Sequence, residues 1–501
     1  MVSPTTSTAT SSCSSPPDPP LWTHQEEEIE DRWFAQSRAL LWSMRTGKTR
    51  TIIKTAEKLH RYGDLLGVLV MAPNGVHSNW IRRELPKWAS PLDVGATWNS
   101  SLSRERDPAH EAALSRVCAQ TPDRIRWLAV NDEALINERA QKAINDFRIS
   151  CNNNVLLVAD ESSMFRRPGA QRTRIIRGLA QKLQWRRILD GTAIFNSPLH
   201  AFSQYEILQK GALGFTTFED FKKRYAVFVM KQRGNSNRNF LMLDHHINMD
   251  ELRERMAAWS SVVMREDCND MPILLPVTRD VVMTERQVLA YRQMAQEMVL
   301  SIEDGEDIEA KNGGAKALKL QQILGGFMMD KRGDVVSIED EPPILDALER
   351  EVVGTLPGKC IVWCRFKEDI RRCVKRLTDM GLSVVQYHGD VPAREREVSI
   401  DRFQNDPTVA VFVGQPQAGA RGLDLSAADC IIWYSVTPDA IITEQGNERG
   451  TQVGGKAVSI VTLATAGTVH DHIVEMNEGK VTLADQVSGR GLRDFLLANR
   501  V

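Results

Sequence analysis

The chain lacks a charge excess of either sign. Lys and Arg number 63 against 65 Asp and Glu, for a formal net charge of −2. No global basic field draws it onto nucleic acid, so any such binding must come from a local cleft. Long apolar runs are missing too. GVLVMA (67–72) and VAVFVG (409–414) are typical of the longest, far below the roughly 20 residues of a membrane-spanning helix, so no membrane partner is expected. Eight cysteines are too dilute and too irregularly spaced for a disulfide framework. The nearest set, Cys360, Cys364 and Cys373, lacks the paired CxxC spacing that tetrahedral zinc favours; two of the three lie on an apolar strand-like run, which predicts buried thiols. The N-terminus has no basic stretch followed by an apolar core, hence no secretory signal, and a reduced cytosolic setting is expected. A fixed-period repeat, a zinc finger and a paired His-Asn-His nuclease cluster are also missing.

What is present is the composition of a soluble folded protein, with 42% apolar and 26% charged residues. The 501 residues allow roughly three domains at about 150 residues each. Ser, Thr and Pro fill fifteen of the first twenty positions, a composition that cannot bury a core and predicts a flexible tail. From Leu21 to about residue 195, short β-rich runs (ALLWS, GVLVMA, RWLAV, VLLVA, RRILD) alternate with longer helical or polar stretches. That alternation predicts a parallel sheet built from βαβ units. A second series comes after residue 355: IVWC, SVVQY, VAVFV, CIIWY and VSIVTL. Between them, 200–330 reads as mostly helical, as in FEDFKKRYAVF and ERQVLAYRQMAQEMVL, with apolar positions three or four apart. GNSNRN and EDGEDIEAKNGG read as exposed loops, and LRDFLLANRV as a short terminal helix.

The most informative stretch is LWSMRTGKTRTIIKTAEKL, in which a strand runs through a turn ending Gly47-Lys48-Thr49 into a helix. A phosphate-binding loop needs that context: backbone N–H groups and the positive helix end cradle phosphates. Lys48 is placed to neutralise the β and γ oxygens and the Thr49 hydroxyl to ligate Mg²⁺. Trp42 holds the position where the full GxxxxGK[ST] pattern has glycine. In VLLVADESSM an apolar strand ends in Asp160-Glu161. A carboxylate at such a strand end is suited to hold Mg²⁺ (Asp160) beside a carboxylate that orients and deprotonates water (Glu161). The alternative reading of this pair is a helix-capping acidic dipeptide with no nucleotide.

In this order the motifs resemble those of superfamily-two helicase-like ATPases, the Swi/Snf-type branch in its compact phage and prokaryotic form, from about Leu21 to Lys480. LWTHQ is similar to the adenine-reading Q motif, with Gln25 as reader. MRTGKT resembles motif I, with Arg45, Thr46, Gly47, Lys48 and Thr49 around the nucleotide. APNGVHSNWIRRELPKW resembles motif Ia and VNDEAL motif Ib, which in this family touch the DNA backbone; the resemblance assigns that contact to Pro73, Asn74 and Asn131. DESS stands for motif II. LDGTAIFNSP resembles motif III, where Thr192 matches a DNA-coupling position and Asp190 and Ala193 depart. REDCNDMP loosely resembles the family's junction signature. KCIVWCRFKEDI (motif IV, Arg365) and YHGDVPAREREVSIDRFQ (His388) carry further backbone contacts. QPQAGARGLDLSAAD resembles motif V, with Gly422 and Asp424 at the nucleotide. EQGNERGTQVGG holds the place of motif VI: Gln445 and Arg449 match, while Gln452 stands where a second arginine belongs. Arg449, Arg421 or Lys456 would then carry the charge that neutralises the transferring phosphoryl, a contribution of about 10³- to 10⁵-fold in rate.

The resemblance implies an α/β fold of two RecA-like parallel-sheet lobes with helical insertions between them. Its segments are a tail over 1–20, the ATP-binding lobe over 21–200, insertions and linker over 201–340, the second lobe over 341–480, and a terminal tail or helix over 481–501. It further implies ATP and Mg²⁺ as cofactors and duplex DNA, read without sequence preference, as partner. The expected activity is an ATP hydrolase that translocates on DNA, as a monomeric motor in the cytoplasm of a bacterium or phage-infected host, with a nuclease or a replication or recombination protein as a further candidate partner. Two other classes stay open: a catalytically weak, ATP-gated DNA-binding subunit, and a P-loop kinase or metabolic ATPase, which would have no use for the second motif series. The basic run IIRGLAQKLQWRR reads as a solvated helix face with backbone contact as the alternative, and Trp80 and Trp88 as lobe core.

Overall fold

The computed structural model describes residues 19–119, 121, 123–191, 197–232, 239–268, 271–303, 310–330, 332–419, 423–451 and 455–477. Six short strands open the fold: β1 (Ser37–Trp42), β2 (Gly67–Ala72), β3 (Val94–Thr97), β4 (Arg126–Asn131), β5 (Val155–Ala159) and β6 (Trp185–Asp190). A two-stranded antiparallel hairpin comes next, β7 (Ala226–Gln232) with β8 (Asn239–His246), and then β9 (Ser260–Val263) and β10 (Leu274–Asp280). A small ribbon, β11 (Phe327–Met329) with β12 (Val335–Ser337), precedes β13 (Lys359–Trp363), β14 (Ser383–Tyr387), β15 (Val409–Gly414), β16 (Ala428–Trp433) and β17 (Val458–Ala464).

These strands form two parallel sheets, ordered β3-β4-β2-β5-β6-β1-β9 and β10-β17-β16-β13-β15-β14. The apolar runs sit in their middles because helices cover both faces, and each strand divides its side chains between two cores. Ala39 and Leu41 join Leu69, Met71 and Leu157 on one face of the first sheet. Leu40 and Trp42 join Val68, Val70 and Val158 on the other. In the second sheet Ile361 and Trp363 face one core while Cys360, Val362 and Cys364 face the other. The expected α/β architecture of two parallel-sheet lobes is therefore present. All three cysteines of the 360–373 set are buried, with the Cys364 and Cys373 sulfurs 3.8 Å apart, and no metal-holding group occurs among the described residues.

The middle third differs from the expectation of mostly helix. The run FEDFKKRYAVF is helical only over Phe218–Tyr225; Val227, Phe228 and Val229 are β-formers and open β7 instead. β9 pairs in parallel with β1, and β10 with β17, so strands from this segment extend both sheets. Pro276 within β10 fits because that strand is an edge, where a missing N–H costs no ladder bond. The helix expected in ERQVLAYRQMAQEMVL is present as Glu285–Glu303. The tail over 1–18 and the terminal LRDFLLANRV lie outside the described residues, as do most of the GNSNRN loop and residues 304–309 of the other.

Candidate nucleotide site and nucleic-acid surface

The carboxyl ends of the first sheet's strands present the loop from Ser43 to Gly47, which feeds the helix Lys48–Tyr62. Its turn is left-handed at Arg45 (φ 62°) and Gly47 (φ 88°). Gly47 is needed twice over: a Cβ there would meet the Gln25 amide nitrogen at 1.8 Å. Gln25 is buried and clamps the loop, donating to the Gly47 carbonyl at 3.2 Å while accepting from the Trp22 N–H at 3.0 Å. His24 meets the Thr46 carbonyl at 2.9 Å. Lys48 Nζ donates to the carbonyls of Trp42 (2.7 Å) and Ser43 (3.1 Å), and Thr46 Oγ1 to that of Ser43 (2.7 Å). Trp42, in the glycine position, turns fully into the core and donates its indole N–H to Ser261 on β9 at 2.9 Å. The bulky residue thus ties β1 to β9 rather than blocking the loop.

Asp160 lies at the end of β5, where burial, then the neighbouring Glu161, pushes its carboxyl up to about 6. The Trp80 indole donates to its Oδ2 at 2.9 Å, and Lys48 also favours the charged form. A carboxylate destabilised by burial and within the influence of Lys48, with a hydroxyl one residue on at Thr49 in the first turn of the helix, supplies oxygen donors of the kind a hard cation takes. These residues fit Mg²⁺. Glu161 adopts the left-handed conformation (φ 56°, ψ 56°), uncommon for a residue with a side chain. The short turn after Glu161 is pinned: Ser163 N–H donates to Asp190 Oδ2 at 2.9 Å, and the Ser162 hydroxyl lies 3.4 Å from the same oxygen and 3.2 Å from Gln204 Oε1. The serines that follow Asp160-Glu161 and the aspartate that ends β6 are therefore partners.

The raised Asp160 value carries a stability consequence. An acid whose folded pKa lies above its unfolded one is favoured in its neutral form by the fold, so its ionisation weakens the fold as pH rises from about 4 through about 6. Asp160→Asn should therefore melt higher than the wild type at pH 7.5, by about 3 °C, a gain that shrinks steadily between pH 6 and pH 4. Calorimetric scans without nucleotide across that range check it, and a gain independent of pH would refute it.

The second lobe meets this site from across the cleft. Gln445 Nε2 donates to Glu161 Oε2 at 3.4 Å. Arg45 reaches over to Asp424 Oδ1 (3.3 Å) and the Arg449 carbonyl (3.0 Å), and its guanidinium holds the Asp424 carboxyl below the usual range against the opposing effect of burial. Arg449 is buried; it donates to the Leu423 carbonyl at 3.0 Å and lies 3.5 Å from Met44 Sδ. Burial first, then Arg45, lowers its pKa to about 10, which leaves it charged at neutral pH. Arg265 of the junction signature pairs with Glu448 at 3.6 Å, and burial raises Glu448 to about 7.

Lys456 does not substitute for the missing arginine. Its ammonium pairs with Asp429, which also accepts the Lys359 N–H at 2.8 Å. Those residues stand at the amino ends of β13 and β16, opposite the nucleotide crevice. Arg421, Gly422, Gln452, Thr192 and Ala193 lie outside the described residues.

Of the residues matched to nucleic-acid contact, Asn74 is exposed just past β2, and Asn131 ends β4 half-buried. Pro73 is buried and its carbonyl accepts from Val76 N–H (3.0 Å) and His77 N–H (3.2 Å). Arg365 is drawn inward: its guanidinium bonds Gln321, its N–H donates to Ser435 Oγ at 2.6 Å, and burial lowers it to about 10. His388 is half-buried beside Asp390, Lys367 and Arg396, with burial lowering its pKa. Sequence reasoning placed Trp80 in the core, where it is, but missed its hydrogen bond to Asp160; an indole N–H that must find a partner when buried was the available signal.

Residues 344–458 match the helicase conserved C-terminal domain. Over 443 residues the chain is 20% identical to the DNA repair and recombination protein RDH54 of Saccharomyces cerevisiae, covering 84% of this chain and 44% of that one. Over 416 residues it is 23% identical to the human DNA annealing helicase and endonuclease ZRANB3, covering 80% and 34% respectively. The chain thus spans less than half the length of these relatives. A solved SWI2/SNF2 ATPase core from Sulfolobus solfataricus in complex with dsDNA aligns over 96% of this chain and 95% of that one, at 18% identity and a TM-score of 0.40.

Proposed function

We propose that this chain, a helicase-like ATPase of the Swi/Snf type, hydrolyses ATP in the cleft between its lobes and uses that cycle to move along duplex DNA without separating the strands. The observation that carries the reading is the set of side chains that cross the cleft: Gln445 to Glu161, and Arg45 to Asp424 and the Arg449 backbone. A nucleotide site whose catalytic groups come from two bodies reports their relative position, which is what a motor requires.

Lys48 leaves the Trp42 and Ser43 carbonyls for the β and γ phosphates, and the N–H groups of the turn hold the phosphate oxygens. Thr49 and Asp160 would hold Mg²⁺, which would supply charge neutralisation at the phosphates. Glu161 takes the proton of the water that attacks the γ-phosphorus as the bond to the β-phosphate oxygen breaks. Arg449 offsets the charge on the transferring group from the far wall. Asn74 and Asn131 meet the polymer at its phosphates, so binding is sequence-independent, and it falls with salt through the cationic side chains that accompany them.

The same reading includes a monomeric motor in the cytoplasm of a bacterium or phage-infected cell, beside a nuclease or a replication or recombination protein. A second reading is favoured by the engagement of Lys456 with Asp429, which leaves motif VI poor in charge: a weakly hydrolysing, ATP-gated DNA-binding subunit. Steady-state hydrolysis with no polymer, single-stranded DNA, duplex DNA and RNA, with Lys48→Ala as blank, separates them. The motor reading expects turnover stimulated most by duplex DNA and lost in the blank. ATP-dependent DNA affinity with no turnover above the blank would replace it with the second.

A further inference from the structure

We propose that Arg166 and Arg167, just past the catalytic carboxylates, form a phosphodiester-binding site that grips the nucleic-acid backbone; this rests on the DNA reading above and adds a contact to it. Several arginines around them are neutralised: Arg172 pairs with Asp132, Arg177 with Glu206 and Arg38 with Glu28. Arg166 and Arg167 have no ion pair and no side-chain hydrogen bond among the described residues. The charges acting on their neighbour His200 are Arg166, Arg167 and His246, all of one sign, and with burial they lower it to about 4. Two adjacent cations held together with no acid between them are electrostatically unfavourable until an anion arrives.

Their presentation is rigid. Phe165 is fully buried in the core, and the Thr173 hydroxyl bonds its carbonyl at 3.4 Å. Arg166 N–H donates to the Ser163 carbonyl at 3.3 Å, and the Arg167 carbonyl accepts from Ala170 N–H at 3.1 Å. Arg167 is exposed and Arg166 half-buried. The helix they lead into, Gln171–Ala180, is locked by Arg172 Nη1 to Asp132 Oδ2 at 2.6 Å. Asp132 directly follows Asn131, so the helix that the arginine pair leads into is tied to the end of β4, where the reading above puts a backbone contact. A backbone of regularly spaced phosphates matches two guanidiniums in sequence better than one small anion does.

The position has a mechanical side. The Glu161 carbonyl accepts from Met164 N–H at 3.1 Å, one turn before Arg166. A phosphate held at Arg166 therefore pulls on the same short 3₁₀ turn, Ser162–Phe165, that comes after the catalytic carboxylate.

The test is fluorescence anisotropy of a labelled duplex titrated with the full chain over a KCl series, for the wild type, Arg166→Gln/Arg167→Gln and Arg166→Lys/Arg167→Lys. The glutamine pair is expected to bind about tenfold more weakly and to lose about 1 to 2 from the slope of log K against log salt, at about 0.9 per phosphate contact. The lysine pair, which keeps the charge, should stay within about threefold of the wild type. An unchanged slope in the glutamine pair overturns the site, as does an equal loss in both variants, which would make the effect structural. If the wild type binds no polymer, the DNA reading itself fails, and the site with it.

Discussion

Arg449→Ala should lower duplex-stimulated turnover by about 10³-fold while leaving the KM for ATP within a few-fold. The guanidinium is charged at neutral pH, buried, and anchored on its own lobe by the Leu423 carbonyl. It faces the phosphate loop through Met44, so it can meet a phosphoryl group from the wall opposite Lys48. Lys456, the other motif VI cation described, is committed to Asp429 at the far end of the sheet. Among the described residues, Arg45 is already engaged with Asp424 and the Arg449 carbonyl, which is why a large loss is expected. Arg449→Lys should recover only part of the rate, because an ammonium lacks the planar fork that can bond two phosphoryl oxygens and the Leu423 carbonyl together. Steady-state kinetics on protein with an unchanged melting profile decide it. A loss below tenfold would mean that the charge is supplied from elsewhere.

Glu161→Gln is the second large effect, with kcat lower by about 10²- to 10⁴-fold, the range of a positioned general base. Glutamine keeps the size and can still meet Gln445, so ATP binding and the closed arrangement of the lobes should persist while proton removal from water fails. The left-handed backbone at Glu161, pinned by Ser163 on Asp190, holds for either side chain. Nucleotide titration by fluorescence and single-turnover hydrolysis separate the two contributions. Weakened ATP binding equal to the loss in turnover would instead assign Glu161 to ground-state binding.

Much of this arrangement was legible before folding. The ten buried strand runs stood out because strands covered on both faces read as continuous apolar segments. β3, with the sequence VGAT, carried too little apolar content to register, and β9 was hidden in the polar run WSSVV. The middle third misled because FEDFKKRY has true helical spacing that stops at Tyr225, where the change of period is too short to detect. At the site, the turn carrying Lys48 and the carboxylates Asp160 and Glu161 stood out by residue type and context, while Gln445 and Arg449 were marked only by the resemblance; the structure brings Gln445 to Glu161 and Arg449 to the loop residue Met44. The pairing of Arg45 with Asp424 was not, since the two stand 379 positions apart. Asp190 was visible only as a departure from motif III, and its contact with the two serines emerged once β6 ended beside the turn after β5.

Among the described residues the chain passes from the first sheet to the second once, between Val263 at the end of β9 and Leu274 at the start of β10. Such a short tether holds each lobe near the other at an effective concentration of order millimolar. At that concentration an interface with an intrinsic affinity of only about 4 kcal/mol is half occupied. The few hydrogen bonds across the cleft, each contributing about 1 kcal/mol net, therefore suffice to bring the lobes together without locking them. The leash makes it unnecessary for the lobes to be good partners: contacts of low intrinsic affinity are enough to bring them together and weak enough to let them part.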